Sequence, residues 1–570
     1  MARRDDNGDI VVNAMASHAP ITNLRTHTVQ NQPPPLDPYD AWSGDPALQE
    51  ALVREGGGWA SDRCAELGAL VGSESVVAMG RQANESAPTL KTFDRWGQRV
   101  DEVEFHPSYH ELMTLAFGHG LHALPWSTPK AGAHVAHAAL GLLFTQAEAG
   151  VLCPVAMTYA CVPALRNQPD VASEWVERVL STTYDPRCIP AADKHGATIG
   201  MAMTEKQGGS DVRANTTKAR PEGRTGGGES YRLTGHKWFC SAPMSDAFLT
   251  LAQTDKGLSC FLVPRFLPDG ERNRFFIQRL KDKLGNRSNA SSEIEYDDTW
   301  AQMVGEDGRG VPTIIEMVHH TRLDAAGAPI GLLRQALSQA IHHTRHRSAF
   351  GRVLADQPLM KNVLADLALE VEAGIALQMR VARSFDEGPH DASAAAFGRL
   401  ATAAAKYWLN KRAPQAIYEA LECHGGAGYV EESILPRLYR EAPLNSIWEG
   451  SGNVICLDVL RAMRRDPGCI EAVLNEIELG ASDCAPLTDS VARIKTMLGG
   501  ADALEANARR LVESIAVALQ GSLLVRSAPT AVADAFVSSR LLEDRGHAYG
   551  TLPSGCALDT IIERAAPQRR

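Results

Sequence analysis

"YRLTGHKWFCSAP" (residues 231–243) breaks the texture of the chain around it. The runs "DAFLTLAQT" (246–254), "LSCFLVPRF" (258–266) and "SSEIEYDD" (291–298) follow, separated by Gly, Pro and Asp. Short β-prone runs between turn formers read as a small antiparallel barrel or sandwich. On both sides the apolar spacing is helical. "AHVAHAALGLLFTQAEAGVLCPVAMTYACVPAL" (133–165) reads as two buried helices joined at Cys153-Pro154. "GVPTIIEMVHHTRLDAAGAPIGLLRQALSQAIHHTRHR" (310–347) and "PLMKNVLADLALEVEAGIALQMRVARSF" (358–385) read as long helices, and the last hundred residues are helical again. The fold class expected is mainly α with a central antiparallel β domain and an extra C-terminal helical domain. The boundaries expected are an extended arm at 1–39, a helical domain at 40–195, the β domain at 196–309, a helical bundle at 310–465 and a helical extension at 466–570. Pro33-Pro34-Pro35 forbids helix in the arm, which is expected to lie extended, with another subunit as one surface it could cover.

Composition excludes several classes. The net charge of −11 over 570 residues argues against a wholly basic nucleic-acid binder. Residues 466–570 hold 10 Lys/Arg and 14 Asp/Glu, a balance of 10 − 14 = −4, so the tail is not a basic domain either. Eleven Cys, an odd number with no CxxC pair, read as reduced buried thiols and a cytoplasmic protein. The start lacks the apolar core of a signal peptide, and no stretch nears ~20 apolar residues, so no membrane span is expected.

Three Gly-rich stretches carry candidate chemistry. "GGAGYV" (425–430) follows a helix rather than a strand, so a tight turn is preferred to a dinucleotide fingerprint. "MTEKQGGSDV" (203–212) offers backbone N–H groups and the Thr204 and Ser210 hydroxyls to an anion; a plain structural loop is the alternative. "IWEGSGNV" (447–454) sets a lone carboxylate, Glu449, between apolar residues and a helix start, where a dipole also favours negative charge. The paired histidines, His106 and His110, His119 and His122, and His342, His343 and His346, lack recurring acidic or Cys partners and read as structural or solvent-facing. No GxSxG elbow is present. Local basic clusters occur at 271–287 and 342–352, and at Arg464-Arg465.

Together these stretches resemble the acyl-CoA dehydrogenase family of flavoproteins. "MTEKQGGSDV" is similar to its flavin loop, "GHKWFCSA" (235–242) to its following strand, "RHRSAFG" (345–351) to its RxxFG helix end, "ECHGGAGY" (422–429) to its GGxG turn with Glu422 in place of Gln, and "IWEGSGNV" to its catalytic segment. "THTVQNQPPPLDPYDAW" (26–42), "FDRWGQRVDEVEFHPSYHELM" (93–113) and the long tail resemble the alkylation-response branch of that family. The resemblance implies FAD, with Glu449 as the catalytic base that removes a proton α to a thioester. It implies cofactor contacts from Met203, Thr204, Gly209 and Ser210 in the flavin loop, and from Phe239, Cys240 and Ser241 on the strand. It further implies contacts from Ile447, Trp448, Ser451 and Asn453 around the base. Arg347, Phe350, Gly425 and Gly426 are the positions that reach a neighbouring subunit's FAD, which implies a homotetramer. The alkylation-response branch also implies double-stranded DNA as a partner. Two readings stay open: a DNA-associated flavoprotein with little turnover, and a conventional dehydrogenase of an acyl-CoA thioester. No metal is expected.

Overall fold

The computed structural model describes residues 19–569 apart from Asp483, residues 501–503 and Arg545, together with strand pairing of residues 3–4 and 10–11. A shell of shorter helices between 46 and 127 leads to two buried helices, Ala133–Ala147 (α1) and Leu152–Leu165 (α2). Their junction is the loop 148–151, not Cys153-Pro154. Pro154 sits in the first turn of α2, where its missing N–H is one the helix cannot use anyway.

The β region has seven strands: Ile199–Ala202 (β1), Lys218–Pro221 (β2), Ser230–Ser241 (β3), Ala247–Thr254 (β4), Gly257–Pro264 (β5), Phe275–Leu280 (β6) and Ser291–Val304 (β7). The order β4-β5-β7-β3-β2 returns to β4, so the sheet closes into a ring and has no long free edge there. β1 adds in parallel to β4, and β6 pairs with β7. Alternation, reset on β3 by a register shift against β7, sends Leu233, Cys240, Phe248, Phe261 and Ile294 into the interior. One pair inside the barrel is charged. Lys237 Nζ lies 2.8 Å from Glu205 Oε1, both side chains wholly buried. Glu205 also accepts from the Thr217 hydroxyl (2.6 Å) and from the Thr216 N–H (2.7 Å). Burial pushes the Glu205 carboxyl up, but Lys237 and these donors overcome it and hold it at about 2.

Three long helices form the bundle: Gly310–His346 (α3), Pro358–Glu387 (α4) and Ala392–Glu422 (α5). Pro358 opens α4 in its first turn, and the Asp391 carboxylate caps α5 through the N–H groups of Ser393 and Ala394. Gly452–Arg465 (α6) follows the Glu449 loop. Gly468–Glu478 (α7), Ala485–Gly499 (α8) and Ala508–Ser527 (α9) form the tail. Leu511, Val512, Ile515 and Leu519 of α9 share one apolar core with Leu400, Ala401 and Ala404 of α5, so the tail is packed onto the bundle. Trp408 Nε1 donates to Gln520 Oε1 across that contact at 2.9 Å.

Residues 31–34 of the arm lie against their own chain. Asn31 donates to Ser348 O (2.9 Å) and accepts from Ser348 N (2.8 Å), and Pro34 O faces His342 Nε2 at 2.8 Å. The buried histidines are packing elements with identified partners: His137 Nε2 is 2.7 Å from Asp324 Oδ1, and His134 Nδ1 is 2.8 Å from the Tyr159 hydroxyl. Among the described residues no three ligating side chains gather, and no helix is long and apolar enough to cross a membrane. All eleven cysteines are free, and eight are buried.

The barrel pair gives the first test. Lys237→Met leaves a buried carboxylate without its cation, at a cost of about 3–5 kcal/mol in urea unfolding. Glu205→Gln combined with Lys237→Met should recover part of that loss. The Glu205 contribution is complete above the ordinary Glu range and is lost as pH falls toward 2, because its folded value lies below its unfolded one. Equal stability of Lys237→Met and wild type would refute a structural role for the pair.

Candidate functional site

Glu449 has φ +55, a left-handed backbone that a non-Gly residue adopts only when its surroundings impose it. Three successive carbonyls impose it. Lys406 Nζ donates to Trp448 O (2.8 Å) and to Gly450 O, and Arg322 Nε donates to Glu449 O (3.0 Å). Arg322 is held in turn by Asp458 of α6 at 2.8 Å, and Asp458 also binds Arg399 at 3.0 Å. Gly450, at φ +109, completes the turn; a Cβ there would sit 2.9 Å from Ile455 Cδ1.

With its backbone fixed, the Glu449 carboxylate accepts from the Thr321 hydroxyl of α3 at 2.8 Å. Burial raises its pKa, against the lowering effects of Thr321, Arg322 and Lys406. The same burial brings Lys406 down to about 7. A carboxyl raised by burial, with its direction fixed, suits proton transfer.

The sequence-predicted residues fall into two groups. Trp448, Met203 and Ala242 pack into one apolar cluster with Cys153, Met157 and Met317. The buried Cys153 thiol faces both Ser241 and Glu449, which ties the strand end to the carboxylate. Phe239 stands 48% exposed at the end of β3, and Ile447 is exposed beside Trp448. Gly209 and Ser210 are exposed in a loop pinned from beneath by Glu205. A Cβ at Gly209 would come within 3.1 Å of Thr204 Cγ2, so the loop keeps an open cradle there. Ser451 and Asn453 stand at the start of α6, where a Cβ on Gly452 would lie 3.1 Å from Arg509 Nη2 and 3.2 Å from Lys411 Nζ. An exposed aromatic ring, a glycine cradle and a helix start flanked by two cations fit a planar ring system carrying phosphates.

Cys240 offers a ligand only its backbone, because its side chain points into the barrel, wholly buried; its O accepts from Ser292 Oγ at 3.1 Å. The strand alternation that exposes Phe239 necessarily turns Cys240 inward.

The second group lies elsewhere. The His343 and His424 rings meet at 4.5 Å, tilted by 42°, bringing the Arg347 end of α3 against the Gly425-Gly426 turn. Phe350, at φ +53, is 98% exposed, and Tyr429 is 79% exposed. Thr321 and His346 are 25 positions apart on one helix, about 37 Å at ~1.5 Å per residue. The two groups of one chain therefore do not converge.

Sequence reasoning missed Thr321, Arg322, Lys406, Asp458 and Glu205. Lys406 left a signal, since a charge set in "TAAAKYWL" (402–409) within an apolar helix asks for a buried partner.

A closed β barrel between helical layers, with a carboxylate on a constrained loop ahead of a helix, is the plan of an acyl-CoA dehydrogenase. Residues 308–464 match the acyl-CoA dehydrogenase C-terminal domain, 200–299 its middle domain, and 31–186 the adaptive response protein AidB N-terminal domain. The chain is 49% identical over 446 residues to AidB of Escherichia coli (strain K12), covering 78% of this chain and 82% of that one. It is 32% identical over 471 residues to acyl-CoA dehydrogenase family member 11 of Caenorhabditis elegans, covering 78% and 74%. The crystal structure of Caenorhabditis elegans ACDH-11 in complex with C11-CoA superposes with a TM-score of 0.80 at 27% identity, covering 96% of this chain and 93% of that one. The chain belongs to the acyl-CoA dehydrogenase family, in its AidB-type branch.

Lys406→Met should cost on the order of 1–3 kcal/mol for each carbonyl left without a donor. Hydrogen exchange at 448–455 should accelerate in the same variant. Wild-type exchange there would mean that Arg322 alone holds the turn.

Proposed function

We propose that the chain is a flavoprotein that holds FAD between two copies of itself and uses Glu449 as a base on an acyl-CoA thioester. The observation that carries this reading is the Glu449 carboxylate, fixed by Thr321 and raised by burial, beside the apolar cluster that holds Met203, Trp448 and Cys153. Met203, Thr204, Gly209, Ser210, Phe239 and Ser241 serve the flavin end of the cofactor, with Ser451 and Asn453 beyond the base. Arg347, Phe350, Gly425 and Gly426 serve the far end of the cofactor in a neighbouring copy. The separation of the two groups along α3 and the bare Phe350 ring support that division, and a homotetramer built from such pairs is the assembly proposed. The C11-CoA bound by the worm relative supports a thioester as ligand.

Glu449 accepts the proton from the carbon α to the thioester carbonyl. Thr321 keeps one carboxylate oxygen engaged, which directs the other toward substrate. Trp448, its indole N–H satisfied by Asn445 Oδ1 at 2.8 Å, offers an apolar wall that excludes water from the base. When bound, FAD supplies the acceptor for the hydride that leaves the β carbon.

DNA is the second proposed partner, supported by the likeness to the adaptive response protein's N-terminal domain. The cluster at 271–287 is a poor candidate for that surface, because Arg272, Arg274, Arg279 and Lys281 are paired with Glu102, Asp297 and Glu293. Arg509 and Arg510 are exposed on α9, and Arg509 stands beside Lys411. They are the better contributors to a phosphate-binding surface and to a part in the response to DNA alkylation.

Glu449→Gln in the FAD-loaded protein should slow flavin reduction by C11-CoA by ~10²-fold or more, with FAD retained. Unchanged single-turnover reduction would identify another base. Arg510→Glu, which leaves the Arg509 charge beside the α6 start in place, should weaken binding of unrelated duplexes alike and flatten the salt dependence. Superimposable salt series for wild type and variant would remove Arg510 from the surface.

A further inference from the structure

The loop 283–291 leads into β7 and reaches the candidate site at Ser241. It is rigid. Gly285 abuts the Arg440 carbonyl, where a Cβ would lie 2.4 Å from the oxygen. Asn286, at φ +55, gives its N–H and its side-chain amide to the buried Glu441. Ser288 donates to the buried Glu148 at 2.8 Å. This frame fixes Lys283, whose Nζ reaches Ser291 Oγ at 3.1 Å and Asn289 O at 2.5 Å. Ser291 Oγ is in turn 3.2 Å from Ser241 Oγ. β3 and β7 place the two serines directly opposite each other, so the contact is set by sheet register.

An ammonium only donates, whereas a hydroxyl has one hydrogen to give. Ser291 accepts from Lys283, so its own hydrogen is free for Ser241. Ser241, accepting in turn, keeps its own hydrogen to give, with the buried Cys153 sulfur on one side and the open site on the other. Burial lowers Lys283 to about 8, which leaves it charged and donor-only at neutral pH. Glu441 and Glu148 help to hold that charge, while Arg287 opposes it.

We propose that Lys283 is a positioning residue that, through Ser291, fixes the Ser241 hydroxyl as a hydrogen-bond donor toward the flavin edge. The inference rests on the FAD reading above. A fixed donor favours a ring edge that accepts. Oxidised flavin presents a bare ring nitrogen there, which carries a hydrogen once reduced. The relay therefore stabilises the oxidised form. A cation acting through space does the reverse, because it favours the electron-rich reduced form. The two effects of Lys283 thus have opposite signs, and Ser291 separates them.

The test is the midpoint potential of the flavin in the FAD-loaded protein, measured by dye-equilibrated reduction for wild type, Lys283→Met, Ser291→Ala and the two combined. Ser291→Ala removes the link while keeping the charge, and it changes too little volume to endanger folding. A rise in potential in Ser291→Ala is the expected result. In the Ser291→Ala background, where only the charge is left to act, Lys283→Met should lower the potential by more than it does in the wild-type background. A wild-type or lowered potential in Ser291→Ala overturns the relay, as do equal Lys283→Met shifts in the two backgrounds. Failure of the wild-type protein to take up FAD at all would overturn the cofactor reading itself, and is distinguished by the missing flavin spectrum.

Discussion

The site depends on one constraint: three consecutive carbonyls, from Trp448 to Gly450, are turned onto two cations, Lys406 and Arg322. A peptide unit can present its carbonyl inward only by sending the adjoining side chain elsewhere. The left-handed backbone of Glu449 is the outcome of that geometry. Strain of this kind costs of order 1–3 kcal/mol and persists only where neighbours over-determine it. Here the neighbours come from α3, α5 and α6, so the position of one carboxylate is an output of the whole bundle. Asp458 extends the dependence, because it pairs with Arg322 and Arg399 together and so ties α6 back to α3 and α5.

The barrel solves a related problem by different means. The loop at 203–212 is exposed at Gly209 and Ser210, so it has little apolar surface with which to hold itself down. Glu205 does this by reaching inward to Lys237 and the threonines at 216 and 217. A buried ion pair is a poor source of net stability but a strict specifier of geometry, since neither partner tolerates the loss of the other. In both places an exposed functional loop is anchored by charge rather than by packing.

Much of this was readable before any coordinates. The switch from helical to alternating spacing near 198 located the barrel, and the run around Glu449 located the carboxylate, because periodicity and turn residues act locally. Strict alternation from Leu233 and Lys237 would have turned Cys240 outward; a register shift against β7, invisible in the sequence, turns it inward. What stayed hidden was long-range pairing. Nothing in the 271–287 segment says that its arginines meet Glu102 and Asp297, so it read as a basic cluster. Nor does "TAAAKYWL" say that Lys406 ends beneath a loop 42 positions away. The alkylation-response resemblance carried the fold of the tail but no information on which of its cations face solvent.

The length of α3 has a genetic consequence. Because the two groups of candidate cofactor residues stand at opposite ends of that helix, a cofactor spanning two copies makes each chain a donor to one site and a host to another. A chain damaged near Phe350 and a chain damaged near Glu449 are then complementary rather than equivalent. Mixed in one assembly, they rebuild an intact site from the sound half of each. Alleles at the two ends of α3 would rescue one another in the same cell, whereas two alleles at the same end would not.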